Sequence, residues 1–140
     1  MSMPRDDLVV MVLDWRQLKA VLEAARAVDR PLTLITPRAA AETYGAGYLG
    51  ALQARADLEF PDVAFTLVVD CGEAAGYAMA CLRAGVRRIS LQGPSKVVAK
   101  VADIARQKGA AVVERPPQAL DLAAALATLL GSPSPRRKNT

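Results

Sequence analysis

Two short stretches place chemically useful residue types together. Asp70-Cys71-Gly72-Glu73 offers a carboxylate and a thiol beside a glycine, and Gly93-Pro94-Ser95-Lys96 offers a glycine turn followed by a hydroxyl and an amine. The second stretch follows an apolar run and precedes a helical pattern. Free amides at a helix start, the helix dipole and Lys96 would make an anion site there. The same residues also read as a Gly-Pro turn with Ser95 capping the helix. Asp70 could orient a ligand hydroxyl, cap a helix, or share a magnesium ion with Asp14 if their strands are neighbours. Cys71 has no histidine to activate it, because the chain contains none. That absence removes the usual triads and the commonest general base. No lysine stands in or at the end of an expected strand, which argues against Schiff-base chemistry. Gly45-Ala46-Gly47-Tyr48-Leu49-Gly50 matches GxGxxG, but residues 37–44 separate it from the preceding strand. The dinucleotide mechanism needs that first glycine directly at a strand end. The glycines read better as sites of close helix packing.

The elements that must position these residues follow from changes of apolar period. Leu8–Leu13 is a continuous apolar run suited to a buried parallel strand. Asp14 can cap the helix that follows, with Leu18, Val21, Leu22, Ala25 and Val28 on its apolar side and Arg16, Lys19, Glu23 and Arg26 on the other. Further strands are expected at Leu32–Thr36, Phe65–Val69, Arg88–Leu91 and Ala110–Val113. Helices are expected from residue 73 or 74 to Ala84, from Ser95 to the stop at Gly109, and around Leu122, Leu126 and Leu129. Residues 38–62 read as a helix, bent or split at the glycines, and then a loop.

Alternating strands and helices imply parallel pairing with right-handed crossovers. The expected architecture is a five-stranded parallel sheet in a three-layer α/β/α sandwich of flavodoxin-like order 2-1-3-4-5; the alternative is half of a βα barrel. In such folds ligands meet strand C-termini. The candidate ligand-binding rim is therefore Asp14, Thr36, Asp70, Gly72, Gln92, Gly93, Ser95, Lys96 and Arg115, with no catalytic residue, metal site or cofactor assigned.

The pattern resembles the receiver domains of two-component signalling. Asp70 ends the third strand, where those domains carry a phosphoacceptor, and Glu114-Arg115-Pro116-Pro117 is similar to their strand-five Lys-Pro. The sequence departs from them in having only Asp14 after the first strand, Arg115 for the lysine, and Gln92 or Gly93 near the Ser/Thr position. The resemblance thus implies a degenerate, receiver-like interaction domain. Asp70-Cys71-Gly72 and Arg83-Ala84-Gly85-Val86 also resemble turns of phospho-sugar aldolase barrels, without the catalytic lysine.

Composition narrows the functional classes. The 140 residues, 52% hydrophobic, suit one domain with a real core. We expect that domain over residues 1–131, with 132–140 a flexible basic tail. The net charge of +4 owes three positive charges to Arg136, Arg137 and Lys138. Without them the basic and acidic residues are near parity, which makes nucleic acid an unfavoured partner. Cys71 and Cys81 read as reduced core thiols, and the first apolar run is too short for a signal or a membrane span. A cytoplasmic protein without membrane contact is expected. Ala74 through Leu82 is almost wholly apolar, as in a helix buried by a partner. The reading is a self-associating, non-catalytic module, a homodimer or a complex with another protein; the alternative is a protein for a phosphorylated or other anionic small molecule.

Overall fold

A computed structural model describes residues 8–131; the expected tail at 132–140 lies outside the described residues. The chain runs β1 (Leu8–Met11), α1 (Trp15–Val28), β2 (Leu32–Ile35), α2 (Ala40–Tyr44), α3 (Ala46–Glu59), β3 (Phe65–Asp70), α4 (Ala75–Arg83), β4 (Arg88–Ser90), α5 (Ser95–Gln107), β5 (Ala111–Val112) and α6 (Leu122–Leu129). All five strands are parallel, as the alternation requires.

Their order is β1-β2-β3-β4-β5, which corrects the expected 2-1-3-4-5. In that order β3 would pair with the free edge of β1. Here Leu120 occupies that edge: its N–H donates to Val9 O at 2.8 Å, and its carbonyl accepts from Met11 N at 3.0 Å. β3 pairs with β2 instead, Leu34 opposite Leu67. Right-handed crossovers between strands in sequence order put every connecting helix on one side of the sheet. The packing agrees, for α6 lies against α1, α1 against α3, α3 against α4 and α4 against α5. The three-layer sandwich is corrected with the strand order, and the order is the one a half-barrel uses.

Strand parity separates the two faces. Val10, Val12, Leu32, Leu34, Leu67, Val69, Ile89 and Leu91 join Leu18, Val21, Leu22, Leu49, Ala78 and Val101 in the main hydrophobic cluster. The other face carries Thr33, Ile35, Val68, Asp70 and Ser90, all buried though no helix row lies on that side. Curvature explains part of this. Val113 still bonds β4 through Ile89 O, and Leu120 bonds β1. In a flat sheet these positions would be about five strand spacings of ~4.8 Å apart, close to the ~25 Å limit for the chain between them. A sheet that curls toward its helix-free face shortens that span, and residues 114–119 lead from the end of β5 to the edge of β1, where Leu120 pairs in parallel with Val10.

Local chemistry sets the helix boundaries. Asp14 caps α1, its Oδ1 accepting from Gln17 N at 2.9 Å, as its position predicts. The 38–62 segment is split, α2 ending at Gly45, whose φ of +86° is open to glycine at little cost. Gly50 lies where α3 meets the end of α4; a Cβ there would stand 2.6 Å from Ala84 O. GxGxxG therefore follows a helix, not a strand, and serves a chain break and a close helix contact. α4 sits inside the helix row, with Ala78, Cys81 and Leu82 buried, and contacts within the chain account for much of its apolar composition.

Candidate functional site

The C-terminal ends of β2, β3 and β4 converge on one carboxylate. Asp70 is the last residue of β3, and its parity aims it at the helix-free face. Its Oδ1 accepts from Ala39 N and Gly72 N, both at 2.8 Å. Its Oδ2 accepts from Arg115 Nη1 at 2.9 Å and from Ser90 Oγ at 3.3 Å. Thr36 ties β2 to the same point, its Oγ1 accepting from Asp70 N at 2.9 Å. The Arg115 guanidinium also donates through Nη1 to Thr36 O at 2.8 Å. The Asp70 and Arg115 side chains are only 7% and 12% exposed, so each charge depends on the other for compensation.

The local backbone is built around this knot. Gly72 has φ +56° and Ala39 has φ +57°. An alanine in the left-handed region costs roughly 1 kcal/mol, and the bond from Ala39 N to Asp70 offsets that cost. Gly72 O in turn accepts from Gln92 N at 2.7 Å, joining the loops after β3 and β4.

Beside the knot lies a cleft of about 430 Å³, in the size range of small-molecule sites. Asp70, Ser90, Gln92, Glu114, Arg115 and Arg38 supply its polar lining. Leu91, Val98, Val112, Val113, Pro116 and Pro117 supply an apolar wall. Arg38 has no hydrogen-bond or ion-pair partner among the described residues, and it is exposed.

Of the nine sequence candidates, Asp70, Gly72, Gln92 and Arg115 line this cleft, and Thr36 braces it from beneath. Asp14, Gly93, Ser95 and Lys96 are not part of the lining. Asp14 caps α1 in the loop after β1, and β2 stands between β1 and β3, so Asp14 and Asp70 do not follow neighbouring strands as a shared magnesium would require. Ser95 is the first residue of α5 rather than its cap; Pro94 holds the cap position, and no side chain caps that end. Sequence reading missed Arg38, Ser90, Glu114 and the apolar wall. Arg38 and Ser90 did carry a signal, since each stands within two residues of an expected strand end. Glu114 carried the same signal, one residue past the expected strand end at Val113, whereas the apolar wall could be assigned only once α5 and residues 112–117 were seen to border the cleft.

The cysteines are free and buried. A hydrogen bond toward Cys81, and then burial, hold the Cys71 thiol well above its ordinary range, opposite to what a nucleophilic thiolate needs. Among the described residues, no three of His, Cys, Asp and Glu cluster as a metal-ligand set, and no helix is long and apolar enough to cross a membrane. Neither a protein-family model nor a curated protein matches the chain.

Proposed function

We propose that this domain is a non-catalytic binding protein for a small anionic ligand, held in the cleft at the strand C-termini. The observation that carries the reading is the convergence of Arg38 and Arg115 on one cleft, with Arg115 fixed by Asp70 and the Thr36 carbonyl. A guanidinium already locked in place loses little freedom when it meets an anion, which favours affinity. Binding rather than chemistry is supported by the state of the candidate reactive groups. Asp70 accepts four hydrogen bonds, Ser90 Oγ donates to Asp70, and Cys71 is buried and does not line the cleft. The two buried free thiols suit a reducing compartment, and we place the protein in the cytoplasm on that ground.

The test is thermal denaturation against sets of matched anionic and neutral small molecules. Anions are expected to raise Tm saturably by linkage, with the effect falling at high salt and in Arg38→Gln. If no anion stabilises the wild type more than Arg38→Gln, the reading is wrong.

Self-association is a second reading with its own observation. Tyr44, Tyr48 and Tyr77 are 42%, 40% and 44% exposed on the mutually packed helices α2, α3 and α4. Tyrosine is enriched in the buried centres of interfaces, and a second copy covering these rings would form a homodimer. Sedimentation equilibrium decides it: a dimer mass lost in Tyr77→Ser supports this reading, and a monomer at high protein concentration removes it.

A further inference from the structure

The edge of Arg115 left toward the cleft identifies the ligand class more closely. Both protein acceptors of Arg115, Thr36 O and Asp70 Oδ2, are taken by Nη1. Nε and Nη2 have no acceptor among the described residues, yet neither is a buried unsatisfied atom. They therefore reach solvent, and Arg115 lines the cleft. Nε–H and Nη2–H lie side by side on one edge of the guanidinium and match the two oxygens of a planar carboxylate. The chain uses the same edge elsewhere: Arg26 Nε and Nη2 donate to the two oxygens of Asp62 at 2.9 and 2.8 Å.

Charge and shape then separate carboxylate from phosphate. The cationic pair Arg38 and Arg115 shares the cleft with Asp70 and Glu114, so the formal lining charge is balanced. A dianionic ligand would leave the filled cleft with two uncompensated negative charges and a monoanion with one, so the smaller charge is favoured. Next to the polar end, Val98 from α5 and Val112 from β5 offer an apolar wall. Resting on the anion-binding reading above, we infer that the ligand is an organic monocarboxylate, its carboxylate on the Nε/Nη2 edge of Arg115 and its hydrocarbon body along Val98 and Val112.

The experiment is an NMR titration with four probes: acetate, hexanoate, inorganic phosphate and hexyl phosphate. It follows the Arg115 Nε–H signal and the Val98 and Val112 methyls. Hexanoate is expected to shift all three and to bind more tightly than acetate, by about two- to fourfold per added methylene that is covered. Hexyl phosphate is expected to be the weaker of the two six-carbon probes. Arg115→Lys, which keeps the charge and loses the fork, should weaken hexanoate about tenfold or more. Val98→Ser keeps the test available if that variant does not fold; it should flatten the dependence on chain length. Hexyl phosphate binding more tightly than hexanoate would overturn the carboxylate assignment and leave the anion cleft standing. Equal binding of acetate and hexanoate would overturn the apolar body. No shift of Arg115 with any of the four probes would overturn this inference and the underlying reading together.

Discussion

Replacing Asp70 by asparagine removes one negative charge from the knot while keeping the side-chain shape. The amide oxygen can still accept from Ala39 N and Gly72 N, now both at 2.8 Å. The amide nitrogen must then face Arg115 Nη1, another donor, where a carboxylate oxygen now stands at 2.9 Å. Ser90 Oγ can rotate to accept instead of donate, so its loss is small. What remains is a guanidinium only 12% exposed with its counter-charge gone. Removing one partner of a buried ion pair costs about 3–5 kcal/mol. The edge of Arg115 that reaches the cleft lets water relieve part of this, so the expected cost is about 3 kcal/mol. For a chain of this size that is a Tm drop of roughly 6–12 °C. Urea unfolding followed by the single tryptophan, Trp15, measures it directly. Asp70→Asn with Arg115→Gln should be less destabilised than the two single variants added together, by about 2 kcal/mol or more, because the second change removes the charge that the first strands. An Asp70→Asn protein within 0.5 kcal/mol of wild type, or strictly additive variants, would refute the reasoning that Asp70 and Arg115 depend on each other.

Four further outcomes follow from the same geometry. Gly50→Ala should cost about 1–3 kcal/mol in urea unfolding, since its Cβ would meet Ala84 O at 2.6 Å and Ala84 Cβ at 2.7 Å. Ala39→Gly should be neutral or stabilising by up to about 1 kcal/mol, because relief of the left-handed φ is set against glycine's greater freedom when unfolded. Gln53→Met should change stability by less than about 1 kcal/mol, because it gives up the 3.2 Å bond to Asp57 but removes a buried carbonyl oxygen that has no partner. Arg87 holds Asp57 with bonds of 2.6 and 2.9 Å and keeps its carboxyl below the ordinary value, chiefly by hydrogen bonding. A depressed carboxylate pKa contributes stability above the unfolded-state value and loses it as pH falls through the folded-state value. Arg87→Gln should therefore cost about 0.5–1 kcal/mol near neutral pH for this half-exposed pair, with the gap to wild type closing below about pH 4.

Much of the fold was legible because apolar period and chain punctuation are local. The α1 stripe of Leu18, Val21, Leu22 and Ala25 is buried as its spacing requires, although Val28 at its end is 45% exposed, and Gly45 breaks the 38–62 segment where the glycine cluster suggested. Strand order was not legible. Parallel pairing is made by backbone groups common to all residues, so LTLI and FTLVV look alike to every neighbour, and the decisive contact is the backbone of Leu120 on β1. The rim shows the same division. Asp70, Gly72, Gln92 and Arg115 were identifiable as strand-end residues. The pairing of Asp70 with Arg115 joins positions 45 residues apart and depends on the 114–119 crossing. Gly93–Lys96 lies outside the lining of the cleft, and a glycine turn before a helix has the same sequence whether or not it borders one.

We propose that the Nε/Nη2 edge of Arg115 receives an anion in the rim cleft. A crystal structure grown with 6-bromohexanoate tests it most directly, because anomalous scattering locates the bromine independently of interpretation. Carboxylate oxygens are expected about 2.7–2.9 Å from Nε and Nη2, with the bromine against Val98 and Val112. A bromine peak elsewhere, with Arg115 still bound only to Asp70 and Thr36, would contradict it.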